Sequence, residues 1–442
     1  MTGDLGGGHH GLPRLLAGLE PGGQAMTLAA HTRIHGPLPT VPAHELIEEV
    51  ERSGLRGRGG ADFPTARKLR AVAGRRRVGP VIVNGSETEP ASAKDRLLLA
   101  RLPHLVLDGA VLAAGAVGSS EVIVKVGSGP GSGSGSNRVV QALEAAVAAR
   151  ERDPVSIQVV PGPDGYVAGE ESAVVHYLNG GGPLPTFVPP RPFERGYRGR
   201  PTLIQNPETL AQLALVARFG SSWYRELGTV ADPGSALVTI TGAVAAPGVY
   251  ELAFGTSMLD LLEAAGGPTE PLQALLVGGY FGTWMSAADG VRLRLARQDL
   301  RSVGCALGSG VLIALGESAC GLHESAHVIA YLAEQSAGQC GPCVFGLRAI
   351  ADGFGALADG VAAPGERERL LRWGAEIRGR GACHHPDGAV RFVQSALRVF
   401  GSQIEAHPRG RCLATPAGLP LGDGLVRVRG GRLAERRKAG AL

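Results

Sequence analysis

Residues 78–90 read Val78-Gly-Pro-Val-Ile-Val-Asn-Gly-Ser-Glu-Thr-Glu-Pro90, an apolar run that gives way to polar residues. The apolar half is rich in β-branched residues, as a buried strand is, and similar runs stand at 121–126 and 157–160. A helical pattern at 139–150 separates the last two runs. Because strands that alternate with helices pack as layers, the pattern predicts an α/β structure.

The polar half of this stretch places side chains directly after the first strand. Asn84, Glu87 and Glu89 all follow the apolar run closely. The carboxyl ends of strands are where open α/β sheets bind their ligands. These three residues are therefore candidate site residues.

A glycine-rich stretch precedes this strand. It reads Gly54-Leu-Arg-Gly-Arg-Gly-Gly-Ala-Asp-Phe-Pro-Thr65 and joins helical patterns at 45–52 and 66–72. Glycines let the backbone approach a flat ligand or a phosphate closely, and Arg58 and Lys68 could supply positive charge. The spacing is not that of the dinucleotide fingerprint, so a ligand-binding loop and a tight glycine turn both remain open.

A third stretch carries two adjacent carboxylates. It reads Gly165-Tyr-Val-Ala-Gly-Glu-Glu-Ser172 and opens a helical pattern. Because adjacent carboxylates repel each other, two interpretations remain. Glu170 and Glu171 either contact a ligand, or one lies at a helix N-terminus while the other faces solvent.

A cluster of cysteines stands in the last third of the chain. It reads Gly338-Gln-Cys-Gly-Pro-Cys343, with Cys383 following 40 residues after the second cysteine. Three thiolates at this spacing predict an iron-sulfur or metal site made by Cys340, Cys343 and Cys383. The position where a C-x2-C-x2-C run would begin is occupied by Ala337.

Three thiolates leave the type of centre open. They could hold a [3Fe-4S] cluster, or a [4Fe-4S] cluster whose last iron takes water, a carboxylate or an imidazole. His384 and His385 are the nearest imidazoles in sequence. Buried cysteines that pack without a cluster are a further alternative, and we interpret Cys305 and Cys320 as core residues of that kind.

Two further units follow the α/β region. Short strand patterns within 236–250 and at 274–277, with a helix between them, predict a small β-grasp module. From His323 onward the apolar spacing predicts a four-helix bundle. The predicted parts are a loosely docked N-terminal arm at 1–35, an α/β domain at 36–230, a β-grasp domain at 231–318, a bundle at 319–408 and a basic tail at 409–442.

Composition excludes several classes of protein. The 442 residues carry a formal net charge of only +4, which gives no strong field for nucleic acid or a membrane surface. The apolar runs end short of the roughly 20 residues that a spanning helix needs. Six cysteines, three of them clustered, predict a reduced cytoplasmic location rather than a disulfide framework.

Together these motifs resemble those of the NADH-binding flavoprotein subunit of respiratory complex I and of its relatives in NAD-reducing hydrogenases and formate dehydrogenases. They run in one order over 54–407 and include Asn84-x-x-Glu-x-Glu-Pro-x-x-x-Lys-Asp-Arg96 and Gly199-Arg-Pro-Thr-x-x-x-Asn-x-Glu-Thr-Leu210. The resemblance implies a Rossmann-like flavin domain, a ubiquitin-like β-grasp (SLBB) domain and a helical bundle that carries a [4Fe-4S] cluster beside FMN.

The resemblance also implies roles for individual residues. Phe63 would stack on the nicotinamide nucleotide, with Glu89 and Glu171 near its polar groups. The three clustered cysteines match three of the family's four cluster ligands, and Ala337 fills the fourth position. The implied flavin contacts are Gly57, Arg58, Gly59, Gly60, Lys68, Asn84, Glu87, Tyr166, Gly169, Glu170, Glu171, Asn206 and Thr209.

Departures from the family pattern concentrate on the nucleotide side. Asp62 stands where the family has glycine, and Ala71 replaces a second stacking aromatic residue. The other replacements are Ser86 for an aspartate, Gln205 for an asparagine, and Val188 and Arg191 for a lysine and a phenylalanine. We therefore expect FMN binding to be retained, while the use of NADH stays open.

The resemblance thus implies a flavin and iron-sulfur oxidoreductase that acts outside complex I. We expect it to pass electrons between NAD(P)H or a ferredoxin and a partner redox protein, through FMN and the cluster. Peripheral association with a membrane redox partner is compatible with this function. The alternative is a non-catalytic assembly scaffold whose flavin pocket is vestigial.

Overall fold

A computed structural model describes residues 11–20, 22–127, 133–151, 153–412, 414 and 418–421. Within these residues the chain forms two β-sheets and a helical bundle, in the order that the sequence predicts. The limits assigned to each domain from the sequence stay a prediction.

The first sheet contains four parallel strands in the order β3-β2-β1-β4. These strands are β1 (Val81–Gly85), β2 (Glu121–Gly127), β3 (Ser156–Gly162) and β4 (Leu203–Gln205). The apolar residues of β1 are fully buried because strands flank it on both sides and helices cover the sheet. The predicted α/β layer structure is therefore confirmed.

The helices of this unit include one that is buried along nearly its whole length. That helix is α5 (Pro103–Val117), and Asp108 in its middle is buried with Arg150, Arg218 and His31, all of which pair with its carboxylate. The helices are α1 (Leu28–His35), α2 (Ala43–Ser53), α3 (Thr65–Val72), α4 (Lys94–Arg101), α5 (Pro103–Val117), α6 (Gly133–Ala148), α7 (Glu171–Leu178) and α8 (Pro207–Arg225).

The second sheet is the predicted β-grasp module. Its five strands lie in the order β6-β5-β9-β7-β8, and a close turn follows β5 at Gly242, where an added Cβ would lie 2.1 Å from the Ala314 carbonyl. The elements are β5 (Ser235–Gly242), β6 (Gly248–Ala253), α9 (Met258–Ala264), β7 (Leu272–Val277), β8 (Thr283–Ser286), α10 (Ala287–Gly290), α11 (Arg297–Ser302) and β9 (Val311–Gly316).

The third unit is the predicted helical bundle. Its apolar positions, among them Val328, Leu332 and Ile350, are buried in one shared core. A π-helical turn at Pro342–Leu347 carries the second clustered cysteine. The helices are α12 (Gly321–Glu334), α13 (Arg348–Ala358), α14 (Glu366–Ile377), α15 (His385–Val399) and the short α16 (Gly401–Ala406).

The N-terminal segment is packed more tightly than the sequence predicts. The backbone N–H groups of Arg14, Leu15 and Leu16 all donate to one carboxylate oxygen of Glu251, at 2.8–3.1 Å. The Arg14 guanidinium also lies 3.7 Å from the ring centroid of Trp223. The prediction of a loosely docked arm is wrong for these residues, because a buried acceptor in β6 holds their backbone.

The two ends of the chain lie largely outside the described residues. Of the predicted basic tail, the structure describes only 409–412, 414 and 418–421. No single described helix is long and apolar enough to cross a membrane. Among the described helices, one bent pair, α4 and α5, reaches that length and composition, and the axes of the two helices differ in direction by 94°.

Replacing Glu251 tests the docking of the N-terminal segment. We expect Glu251→Ala to lower the free energy of unfolding by about 3 kcal/mol, because it leaves three buried N–H donors without their acceptor. Urea denaturation followed by circular dichroism measures this change. The exposed Glu263→Ala in α9 is the control, and an equal loss in both variants would contradict the interpretation.

Candidate functional site

The predicted flavin contacts meet at the carboxyl end of the first sheet. Asn84, at the end of β1, donates through Nδ2 to the Gly169 carbonyl at 2.8 Å. Lys68 in α3 forms an ion pair with Glu171, the first residue of α7. The structure therefore brings residues from three separate motifs to one edge of the sheet.

The glycine-rich stretch forms a compact loop beside this edge. The loop closes because the Gly57 N–H donates to the Phe63 carbonyl at 2.8 Å. A Cβ on Gly59 would lie 3.3 Å from the Cβ of Asn206, so the loop backbone lies directly on the start of α8. Gly60 has a φ of +103°, which favours glycine. The Phe63 side chain is 49% exposed and is therefore available to a ligand.

Arg58 points into the protein rather than into the open edge. Its backbone N–H donates to Thr209 Oγ1 at 2.9 Å, and its guanidinium donates to the Tyr224 hydroxyl and the Ser235 carbonyl. Its Nε lies 3.7 Å from a carboxylate oxygen of Glu208. Arg58 thus fixes the glycine loop to α8 and β5 through these hydrogen bonds. Its contact with flavin stays a prediction.

Several of the other predicted residues cap helices. Glu87 accepts hydrogen bonds from the backbone N–H groups of Asp95 and Arg96 at the start of α4. Glu170 caps α7 in the same way, and Asn206 caps α8. These polar residues therefore set the directions in which helices leave the site, and their contacts with a ligand stay predictions.

Glu89 and Tyr166 form a buried pair. The Tyr166 hydroxyl donates to a Glu89 carboxylate oxygen at 3.0 Å, and the Tyr280 N–H donates to the same oxygen at 2.8 Å. Burial raises the pKa of Glu89 to about 7, although the two hydrogen bonds oppose the shift. This carboxylate therefore belongs to the junction between the first sheet and the β-grasp module.

Lys125 also lies at the candidate site, but it is not among the residues predicted from the sequence. It pairs with Asn84 in the sheet register, and its buried ammonium donates to Ser86 Oγ at 2.6 Å. Burial lowers the pKa of Lys125 to about 8, while the nearby carboxylate of Asp164 raises it. A lysine inside the otherwise apolar run of β2 was the signal that could have identified it.

The clustered cysteines converge on the π-helical turn of the bundle. Cys343 is buried there, and Cys340 and Cys383 are half-buried nearby. Burial, together with the neighbouring sulfurs of Cys340 and Cys383, raises the pKa of Cys343 to about 12. Three sulfur donors that converge in this way fit an iron-sulfur cluster, since bound iron stabilises the thiolate form.

The two histidines after Cys383 have different environments. His384 is highly exposed and lies near Asp387, with Nδ1 3.4 Å from the carboxylate. His385 is buried, and its Nε2 lies 2.7 Å from the Leu332 carbonyl. Its Nδ1 has no hydrogen-bond partner among the described residues. A role for either imidazole as the fourth cluster ligand stays a prediction.

The segment 165–171 connects the flavin side to the cluster side. The Tyr166 N–H donates at 3.1 Å to Oε1 of Gln335, which caps the end of α12 five residues before Cys340. The negative charge of Glu170 contributes to raising the pKa of Cys383, after burial as the main cause. Tyr166 also packs edge-on against His385, with ring centroids 5.8 Å apart.

Two buried polar atoms without partners support the binding of a polar ligand at the edge of the sheet. Thr65 Oγ1, at the start of α3, and Gln205 Nε2, at the end of β4, are buried without a hydrogen-bond partner among the described residues. Buried polar atoms normally have partners, so their orphaned state fits a bound group with polar edges. The residues present therefore fit FMN.

Comparison with known families agrees with this geometry. A model of the Nuo51 FMN-binding domain matches residues 50–215. A model of the SLBB domain matches 237–279, and one of the NADH-ubiquinone oxidoreductase-F iron-sulfur binding region matches 323–407. The predicted fold class and the predicted FMN and iron-sulfur cofactors are thereby confirmed.

Individual relatives cover most of the chain. The F 2 subunit of NADH-quinone oxidoreductase of Rhizobium meliloti (strain 1021) is 30% identical over 82% of this chain and 88% of its own. The F subunit of NADH-quinone oxidoreductase of Rickettsia felis (strain ATCC VR-1525 / URRWXCal2) is 32% identical over 83% of this chain and 89% of its own.

Solved structures also match most of this chain. A chain of an NAD+-reducing [NiFe]-hydrogenase in the H2-reduced state matches with a TM-score of 0.75 and 31% identity over 83% of this protein. The match spans 63% of that hydrogenase chain. Since the fold, the three family models and relatives at 30% identity or more agree, this protein belongs to the family of NADH-quinone oxidoreductase F subunits.

Proposed function

We propose that the protein is an oxidoreductase that passes electrons between NAD(P)H or a ferredoxin and a partner redox protein. The observation that carries this proposal is the position of segment 165–171. Its Gly169 and Glu171 contact Asn84 and Lys68 of the predicted flavin site, and its Tyr166 contacts Gln335 and His385, which lie near the clustered cysteines in sequence. A single short segment therefore joins the two predicted cofactor sites.

The residues of this chain hold and align the flavin, the cluster and the electron donor. When bound, FMN exchanges a hydride with a nicotinamide, and an iron-sulfur cluster carries single electrons. Asn84 and Lys68 hold the start of α7 at the edge of the sheet, and the glycine loop presents the half-exposed ring of Phe63. This arrangement supports stacking of a planar donor without a general acid or base.

The nucleotide side carries an unusual charge pattern. Asp62 adopts a φ of +49°, and its carboxylate lies 3.0 Å from Arg56 Nε and 3.8 Å from an Arg297 guanidinium nitrogen. Its charge is therefore compensated by arginines from the loop and from α11. We propose that this arrangement disfavours NADH, because it occupies cations that would otherwise attract a pyrophosphate.

The identity of the partner is a further proposal. The relatives are subunits of larger enzymes by name, which supports a second iron-sulfur or redox protein as the partner of this chain. Six free cysteines among the described residues support a reduced, cytoplasmic setting. The convergence of three of these cysteines supports a function in electron transfer rather than the alternative function, a non-catalytic scaffold with a vestigial flavin pocket.

An anaerobic visible spectrum, with flavin and iron assays, tests the function. We expect FMN and iron in the purified protein, and bleaching of the flavin band on adding NADH or a reduced ferredoxin. Cys343→Ser should lose most of its iron and keep its FMN, whereas the control Cys305→Ala in the β-grasp module should keep both. A colourless protein would overturn the proposal and support the scaffold.

Replacing Asp62 tests the charge pattern of the nucleotide pocket. We expect Asp62→Gly to lower the KM for NADH by about tenfold, or about 1.4 kcal/mol, because it removes a negative charge beside Arg56 and Arg297 and relieves a left-handed backbone. Steady-state kinetics with NADH and an artificial acceptor measure the effect. The exposed variant Asp260→Ala in α9 should leave the KM unchanged. An unchanged KM in both variants would contradict a role of Asp62 in nucleotide binding.

The raised pKa of Glu89 predicts a pH dependence of stability. The folded carboxyl titrates near 7 rather than near its ordinary 4.5, so the folded state keeps its proton while the unfolded state loses it. The free energy of unfolding should therefore fall, by on the order of 3 kcal/mol, as pH rises through this window, and then level off.

Glu89→Gln isolates this contribution, because glutamine keeps an acceptor oxygen for Tyr166 and Tyr280 but cannot titrate. The stability of Glu89→Gln relative to wild type should rise between pH 4.5 and pH 7.5, as measured by denaturant titration. The exposed Glu334→Gln is the control. Parallel pH profiles for wild type and Glu89→Gln would show that this carboxyl titrates normally.

A further inference from the structure

A second group of metal-ligating side chains lies at the N-terminus of α12. Cys320 begins that helix, and the chain that follows α16 brings His407 and Cys412 to it. One ligand atom from each residue lies within 4.8 Å of the others. None of the three belongs to the predicted cluster set, and the expectation that Cys320 is only a core residue overlooks its neighbours.

The separations suit a single metal ion. Cys320 Sγ lies 3.3 Å from His407 Nε2 and 3.8 Å from Cys412 Sγ. Tetrahedral zinc, with Zn–S bonds of about 2.3 Å and Zn–N bonds of about 2.0 Å, places two sulfurs about 3.8 Å apart and a sulfur and a nitrogen about 3.5 Å apart. A disulfide would need an S–S distance of about 2.0 Å, and both cysteines are free.

The orientation of His407 also suits a metal ligand. Its Nδ1 forms a hydrogen bond with the Ala358 carbonyl, which directs the other ring nitrogen, Nε2, at Cys320. Histidines that bind metals usually donate their second ring N–H to a carbonyl or carboxylate in this way. His323 Nε2 lies 2.8 Å from the same Ala358 carbonyl oxygen, so the imidazoles of His407 and His323 both contact one backbone group.

Cys320 is buried at the N-terminal end of α12. Its Sγ accepts a hydrogen bond from the His323 N–H at 3.4 Å, as the side-chain cap of α12. The positive end of a helix stabilises negative charge on such a sulfur. Cys320 is 1% exposed, so a thiolate there needs a cation as its partner.

We propose that Cys320, His407 and Cys412 bind one zinc ion that fastens the C-terminal segment to α12. Two thiolates and an imidazole are donors that zinc prefers, and water completes the tetrahedron. The chain beyond the site returns to the same helix, where the N–H groups of Gly418 and Leu419 donate to the Glu324 carboxylate. This site goes beyond the proposed electron transfer and does not depend on it.

Elemental analysis of the full-length protein tests the site. The protein is purified anaerobically, given one equivalent of ZnCl2, desalted, and assayed for zinc, iron and flavin. We expect one zinc per chain in wild type. We expect Cys412→Ser and His407→Ala to lower zinc at least about tenfold while iron and flavin are retained. Cys412 is half-buried, so its replacement should preserve the fold, which circular dichroism checks.

Two controls separate this site from the cluster. His44→Ala removes a highly exposed histidine in α2 and should keep both zinc and iron. Cys383→Ser should lower iron and keep zinc. The proposal is overturned by a wild type that retains no zinc, by zinc that follows Cys383 instead of Cys412, by loss of iron in Cys412→Ser, or by a Cys320–Cys412 disulfide in the mass spectrum. Because iron and flavin are read from the same samples, failure of the zinc site is distinguishable from failure of the proposed function.

Discussion

The buried ammonium of Lys94 constrains the geometry of the whole site. Its Nζ lies 2.9 Å from a carboxylate oxygen of Asp95 and 2.9 Å from one of Glu208, and all three side chains are almost fully buried. Removing such charges from water costs several kcal/mol per ion, so each needs its partners in place. Glu208 also accepts from the Leu237 N–H in β5 and pairs with Arg58 of the glycine loop. Two helices, a loop and the β-grasp sheet are therefore positioned around one buried charge.

This network explains why the polar residues after β1 matter even without touching a ligand. Glu87 caps the start of α4, and that start carries both Lys94 and Asp95. The second carboxylate oxygen of Asp95 accepts from Asn206, the cap of α8, at 2.6 Å. Glu87 and Asn206, both predicted flavin contacts, thus also position the helices that surround the site. A variant at either position can therefore lose the cofactor in two ways, through a lost contact or through a displaced helix.

The sequence predicted those parts of the fold whose pattern is local. Strands β1 to β3 combine β-branched runs with neighbouring helical patterns, whereas β4 has three residues and α5 is buried on nearly all sides, so neither shows a clear periodicity. The motifs of the candidate site could be recognised because each lies within a short stretch, and the structure brings several of them together, while their contacts with ligands stay predictions. The docking of Arg14 on Glu251 was not predictable, because the two residues are 237 positions apart.

The main departures from the family pattern lie outside this buried network. Ala337 lies in the half-exposed stretch that leads from α12 to the first clustered cysteine. The Asp62 carboxylate is half-buried and paired with arginines at the edge of the glycine loop. Because neither residue contributes to the apolar cores or to the charges around Lys94, a substitution at either position costs little stability. Asp62 and Ala337 can therefore change with little effect on the fold, so the charge beside the glycine loop and the number of cysteines before Cys343 are set independently of the apolar cores.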